Sequence, residues 1–189
     1  MVLKSIEKSL KLLKQEKINY IYLHSIDFKF VKDSAIDEII NLKRFWITKK
    51  IGVSCDRNAF QDFCELGIFD GFMMILNLVD QANYENLLGA CKAGSDITLK
   101  RALANGLFSN KIKTRLVRYR RIYIGEILGN EFQSYDFRSR IMGSLYDQQL
   151  NYSNYIRYCF SVGYQFNANI LIGTKSIEHL KSLTKVKNI

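Results

Sequence analysis

The sequence predicts a parallel α/β fold, an incomplete TIM (β/α)8 barrel with about five parallel strands. Five times a short apolar run ends in a polar or glycine residue and then gives way to a helical pattern. The runs are Ile18–Leu23 into His24, Ile51–Val53 into Ser54, Phe72–Leu76 into Asn77, Ile97–Leu99 into Lys100, and Asn169–Ile172 into Gly173. They are continuous rather than alternating, the pattern of parallel strands covered on both faces. Length is the third observation: the chain has 189 residues, whereas a complete barrel takes about 250.

The elements can be justified in order. Leu3, Ile6, Leu10 and Leu13 give the first helix an apolar stripe and leave no cleavable leader to expect. The first strand ends at His24. Ser34-Ala35-Ile36-Asp37 resembles a capping signal, with Ile36, Ile39, Ile40 and Phe45 as the buried stripe of the next helix. After the second strand, Asp56 opens a helix with Phe60, Phe63 and Cys64 inward, and Gly67 stands where a left-handed C-terminal cap is wanted. Leu87, Leu88 and Cys91 precede Gly94 in the same way, and Tyr152, Tyr155, Ile156 and Cys159 precede Gly163.

Successive strand ends from His24 to Lys100 are one crossover unit apart. The interval from Lys100 to Gly173 is longer, which puts an Arg- and Tyr-rich insertion at about 109–149, before the last strand. No proline-, glycine- or serine-rich linker divides the chain, so residues 1–189 are expected to form one domain.

Composition narrows the function classes. Hydrophobic content of 48% and charged content of 24% are globular values. The net charge of +10 favours anionic partners such as phosphorylated cofactors, nucleic acid or acidic surfaces. Cys55, Cys64, Cys91 and Cys159 lack both zinc-site pairing and the density of a secreted disulfide scaffold, and read as reduced thiols of a cytoplasmic protein. No apolar run approaches the roughly 20 residues that span a bilayer, and no membrane partner is expected.

Two places carry candidate chemistry. His24, at a strand end, can donate a hydrogen bond to a carbonyl or move a proton; a histidine satisfied by a backbone carbonyl is an equal reading. Gly173-Thr174-Lys175-Ser176 joins the last strand to a helical pattern, so helix N-terminal amides and Lys175 can receive an anion; an ordinary turn capped by Ser176 is the commoner case. Within the insertion, Lys111, Lys113, Arg115, Arg118, Arg120 and Arg121 alternate with Tyr119 and Tyr123. A solvated face outweighs nucleic-acid binding there.

Four stretches in order resemble the aldo/keto reductases: Ser9-Leu10 to His24, then Lys49-Lys50-Ile51-Gly52-Val53-Ser54, then Arg101-Ala102-Leu103-Ala104-Asn105-Gly106, then Ile170-Leu171-Ile172-Gly173-Thr174 with Glu178-His179-Leu180. The order matches the second part of that family's barrel. The resemblance implies reduction of an aldehyde or ketone by hydride from NADPH, or NADH in its place, with a small-molecule carbonyl as substrate. It implies that His24 orients the carbonyl, and that the Tyr, Lys and Asp completing the catalytic set belong to three earlier β/α units, so that these 189 residues are impaired or inactive.

The resemblance assigns the cofactor residue by residue. Ser54 matches the serine that holds the nicotinamide amide, but Cys55 stands where an asparagine is expected and Met73 near an expected glutamine. Lys100 falls where a residue stacks beneath the nicotinamide. Leu103, Asn105 and Gly106 fit the pyrophosphate loop, and Gly173, Thr174 and Lys175 the loop at the adenosine phosphate. His179 aligns with the adenine-side arginine, and Ser182 and Leu183 with a Glu-Asn pair. The alternative is a non-catalytic remnant that binds a nucleotide or a partner, with open sheet edges able to self-associate.

Overall fold

The computed structural model describes residues 2–24, 27–77, 80–102, 152–174 and 176–184. The elements alternate as the sequence predicts: α1 (Val2–Leu13), β1 (Ile18–His24), a 3-10 turn (Phe28–Phe30), α2 (Asp33–Arg44), β2 (Thr48–Ser54), α3 (Ala59–Glu65), β3 (Gly71–Ile75), α4 (Tyr84–Lys92), β4 (Asp96–Lys100), α5 (Tyr152–Gln165), β5 (Asn169–Ile170) and α6 (Ile177–Thr184). The expected insertion at 109–149 lies outside the described residues.

The strands form one five-stranded sheet in chain order, β1-β2-β3-β4-β5. β1 pairs with β2, and β2 with β3, in parallel. An open parallel sheet of this order is the expected incomplete barrel, with β1 and β5 as its terminal strands. By contact density the chain divides into two units, Met1–Met74 with Ala82–Thr98, and Ile75–Gln81 with Leu99–Ile189.

In the first unit an aromatic cluster ties helices to sheet. Phe60 of α3 meets Phe72 of β3 at a centroid distance of 4.9 Å, and Phe63 meets Phe28 at 5.2 Å and Phe69 at 5.8 Å, all near edge-to-face. That geometry sets ring edges against ring faces, the favourable quadrupole arrangement. α2 buries Ile39 and Leu42, while Ile40 and Phe45, expected in its stripe, are exposed. The expected cap also shifts: Lys32 is the N-cap, with no side-chain hydrogen bond, and Ser34 lies inside the first turn. Asp33, at the first helical position, complements the positive end of the helix dipole instead.

The ends of α1 to α5 share one device, a left-handed residue whose amide folds back on the last turn. In α4 the Gly94 amide donates to Cys91 and Ser95 to Ala90, and in α2 Trp46 donates to Lys43 and Ile47 to Leu42, the paired bonds of a Schellman motif. Lys14 and Gln15 do the same for α1, and Asn167 and Ala168 for α5. Gly67 and Gly94 take the left-handed position without steric cost, as expected; Lys14 and Trp46 occupy it as residues with full side chains.

In the second unit α5 continues through Gly163 rather than stopping at it. The glycine is needed for packing, because a Cβ there would lie 2.6 Å from the Ile170 side chain. The Cys159 thiol donates to the Ala102 carbonyl at 2.8 Å, and burial pushes its pKa up to about 12. β5 is shorter than expected, ending at Ile170, although the Leu171 amide still reaches the Leu99 carbonyl at 2.8 Å.

Candidate functional site

Parallel register puts His24 opposite Ser54, and Ser54 opposite Met73. His24 and Ser54 stand at the C-terminal ends of β1 and β2, where parallel β/α barrels carry their chemistry, and Met73, in the middle of β3, continues their row. Alternation along each strand then places Tyr20 and Tyr22 below His24, and Lys50 and Gly52 below Ser54, on the same face. Ile21, Leu23, Ile51, Val53 and Phe72 take the other face, where Phe72 meets α3.

Two tyrosines fill the face beneath the row. Their rings stack with centroids 4.4 Å apart and planes 6° from parallel. A Cβ on Gly52 would come within 2.6 Å of the Tyr22 ring and 2.8 Å of the Tyr20 ring, so the glycine makes room for both. The Tyr22 hydroxyl reaches Thr98 at 3.2 Å. The Tyr20 hydroxyl is buried with no hydrogen-bond partner among the described residues, and burial, then the neighbouring Tyr22, raises its pKa.

Charged groups hold the opposite end of the strands. Lys43 bonds both oxygens of Asp70 at 2.8 and 3.0 Å, and Asp70 accepts the Ile51 amide at 2.7 Å. Lys50 pairs with Asp96 at 2.6 Å, which raises the lysine pKa. Asp70, just before β3, ties α2 to β2, and the Lys50–Asp96 pair reaches past β3 to β4; both lie away from the row at the strand ends.

The loops after β2 and β3 contain polar residues for which the sequence reading gave no role. Asn83, fully buried, accepts the Arg57 amide and donates to Asp56 at 3.1 Å; Asn86 donates to the Arg57 carbonyl at 2.9 Å. The bonds fix the loop after Ser54, where Arg57 is left-handed with φ 55°. In the second unit, the Asn77 side chain accepts the Asp80 amide at 2.9 Å and donates to the Arg101 carbonyl at 3.2 Å. The sequence signal was an Asn at a strand end, a residue whose side chain readily bonds nearby backbone.

The remaining predicted residues divide between the second unit and positions outside the described residues. Lys100 ends β4, half-buried, and Gly173 and Thr174 follow β5, exposed. The Thr174 hydroxyl accepts the Ser176 amide at 3.1 Å and donates to the Ser176 carbonyl at 3.2 Å, while the Ser176 hydroxyl donates to Glu178 at 2.6 Å. Thr174 therefore occupies an amide that an anion would otherwise use. Leu103, Asn105, Gly106 and Lys175 lie outside the described residues, and His179 and Ser182 belong to α6 with side chains outside them.

A nicotinamide does not fit the row as it stands. Ser54 is 1% exposed and Cys55 4%. Met73, half-buried opposite Ser54, has no amide to offer a carboxamide. Gly173 and Thr174 are exposed, with the Ser176 amide taken by the Thr174 hydroxyl. Among the described residues no group of His, Cys, Asp and Glu is arranged to hold a metal ion.

The architecture can be set beside solved structures. An aldo-keto reductase from Bacillus halodurans, in its apo form, superposes with a TM-score of 0.74 at 20% identity, over 100% of this chain and 62% of that one. The chain has the aldo/keto reductase fold. The glycerol dehydrogenase of Gluconobacter oxydans matches at a TM-score of 0.69 and 20% identity, over 100% of this chain and 59% of its own. An aldo/keto reductase of Brucella melitensis matches at 0.61 and 14% identity, over 99% and 61%. The chain thus spans about three fifths of these aldo/keto reductase chains. No family model matches the sequence, and no curated protein does. The aldo/keto reductase fold accounts for the β/α cadence and for His24 and Ser54 at adjacent strand ends.

Proposed function

We propose that the chain is an aldo/keto reductase-like oxidoreductase unit that holds the phosphate side of NADPH, or of NADH, and serves reduction of an aldehyde or ketone. The observation that carries this reading is the register pair His24–Ser54 at the C-terminal ends of neighbouring parallel strands. An imidazole at that height donates to a carbonyl oxygen and orients it. The exposed turn of Gly173 and Thr174, with Lys175 adding charge, would meet the adenosine phosphate, and Leu103, Asn105 and Gly106 the pyrophosphate. Lys100 and His179 complete the set by resemblance.

The disagreement at the nicotinamide end favours a second reading for these 189 residues alone: nucleotide binding without turnover. Loss of one member of a concerted catalytic set costs several orders of magnitude, and His24 does not replace a Tyr donor. Calorimetric titration with NADPH, run beside NADPH oxidation with a panel of aldehydes, separates the two. Binding without oxidation supports the second reading, and oxidation above a His24→Ala control supports the first. No heat of binding, with no oxidation, rejects both.

The terminal strands β1 and β5 each have one neighbour in the sheet, and such edges favour self-association. Light scattering across a concentration series tests it; a monomer at every concentration rejects it. The four cysteines are all free thiols, consistent with a reducing, cytoplasmic setting.

A further inference from the structure

The turns that close α1 and α2 run side by side into β1 and β2. The Ile18 amide bonds the Ile47 carbonyl at 2.9 Å, and Ile18 stands opposite Thr48 in the sheet. Both turns therefore lie at the N-terminal end of the strands, opposite the row of His24 and Ser54. They carry large apolar side chains in water: Leu12 is 74% exposed, Leu13 59%, Phe45 68% and Trp46 72%.

Trp46 stands out. Its φ is 58°, in the left-handed region that a bulky residue seldom enters. At the equivalent position of α4 the chain uses Gly94, and beyond α3 Gly67. A glycine would satisfy the same Schellman hydrogen bonds at lower conformational cost. The indole is thus not required by the turn that holds it, and it faces solvent. Lys14, at the corresponding position of α1, is also left-handed.

Basic residues flank these turns in the chain. Lys14, Lys17 and Arg44 in the turns and Lys49 in β2 are all exposed; the carboxylates at this end are Glu16 in the turns and Asp70 and Asp96, which are paired with Lys43 and Lys50. Exposed Trp and Phe beside Leu, flanked by Lys and Arg, is the composition of a surface that inserts shallowly at a lipid interface while pairing with anionic headgroups. Aromatic residues with cations alone would suit stacked bases; Leu12 and Leu13 have no role there and a clear one among acyl chains.

We infer that the N-terminal end of the sheet, centred on Phe45 and Trp46, docks peripherally on an anionic lipid bilayer. The fold has no part in spanning it: among the described residues no helix is long and apolar enough to cross a membrane. Docking there leaves the strand C-terminal ends facing away from the lipid.

Trp46 is the only tryptophan, so its emission reports the patch directly. The expected result is a blue shift, with co-sedimentation, on phosphatidylcholine vesicles containing phosphatidylglycerol. Pure phosphatidylcholine should give neither. Arg44→Ser and Lys49→Ser should each weaken partitioning about fivefold, the effect falling with added salt. Trp46→Gly, followed by sedimentation, should abolish docking while the melting temperature stays equal or rises, which separates docking from folding. No blue shift on anionic vesicles overturns the inference. So does a blue shift that grows with protein concentration in the absence of lipid, which marks a second copy as the occupant, and so does quenching by a single-stranded oligonucleotide without vesicle binding.

Discussion

The ring of Tyr22 lies over Gly52, close enough that a Cβ on the glycine would sit 2.6 Å from it. The interior of a closed (β/α)8 barrel is filled by layers of branched side chains from alternate strands. Here the same face of β1 and β2 is filled by two stacked phenol rings laid across a strand that has no side chain at that height. Tyr22 ties this arrangement to β4 through Thr98.

Gly52→Ala should therefore destabilise the fold by about 1–3 kcal/mol, the usual cost of forcing a methyl into a packed site. Gly89→Ala is the matched control, since its Cβ would meet Phe60 at an ordinary 3.7 Å and alanine is the better helix former. Denaturant midpoints for both variants check the prediction. A Gly52→Ala protein as stable as Gly89→Ala would show that the tyrosine layer yields freely.

Asn83→Ala should cost about 1–3 kcal/mol, because it removes the acceptor of the Arg57 amide and the donor to Asp56 together. The loop after Ser54 should loosen more than the strand before it. Amide exchange distinguishes the two: faster exchange at Arg57 with protection retained at Val53 is expected. Uniform loss across the first unit would mean that Asn83 supports the core rather than the loop.

How much of this was legible in the sequence depended on the range of each signal. The cadence of strand and helix was local, and so were the stops at Gly67 and Gly94, where left-handed geometry selects glycine. Trp46 and Lys14 hid two further stops of the same kind, because side chains that tolerate the geometry poorly do not announce it. His24 and Ser54 could be placed at strand ends, but their opposition needed the β1–β2 register. Gly163 looked like a helix terminator; only the approach of Ile170, set by the return of β5 against α5, shows why it stands in mid-helix. The polar contacts of Asn83 join two loops, and no local pattern encodes them.

Gly163→Ala tests that last packing contact. The added methyl would meet the Ile170 side chain at 2.6 Å, so a loss of about 1–3 kcal/mol is expected despite alanine's higher helix propensity. Pairing it with Ile170→Val should recover part of the loss in a double-mutant cycle. Strict additivity of the two changes would place the clash elsewhere.

Cys159 gives the chain an alkaline limit. Its thiol is buried against the Ala102 carbonyl, and burial raises its pKa from 9.0 to about 12. Below pH 9 both folded and unfolded chains keep the proton, and the thiol adds no pH dependence. Between pH 9 and about 12 the unfolded chain releases it first, so stability falls as pH rises, by up to about 1.4 kcal/mol per pH unit. Other groups titrate in the same window, so the quantity to measure is the difference between the native chain and Cys159→Ala. The variant should be less stable at neutral pH, having lost the Sγ–H donor and side-chain packing, and its disadvantage should shrink steadily above pH 9. Thiol reactivity gives a second reading: Cys91, exposed, should react quickly with an aromatic disulfide, and Cys159 only as the fold opens. Stability curves that stay parallel from pH 7 to 11 would mean that the Cys159 thiol ionises as readily folded as unfolded.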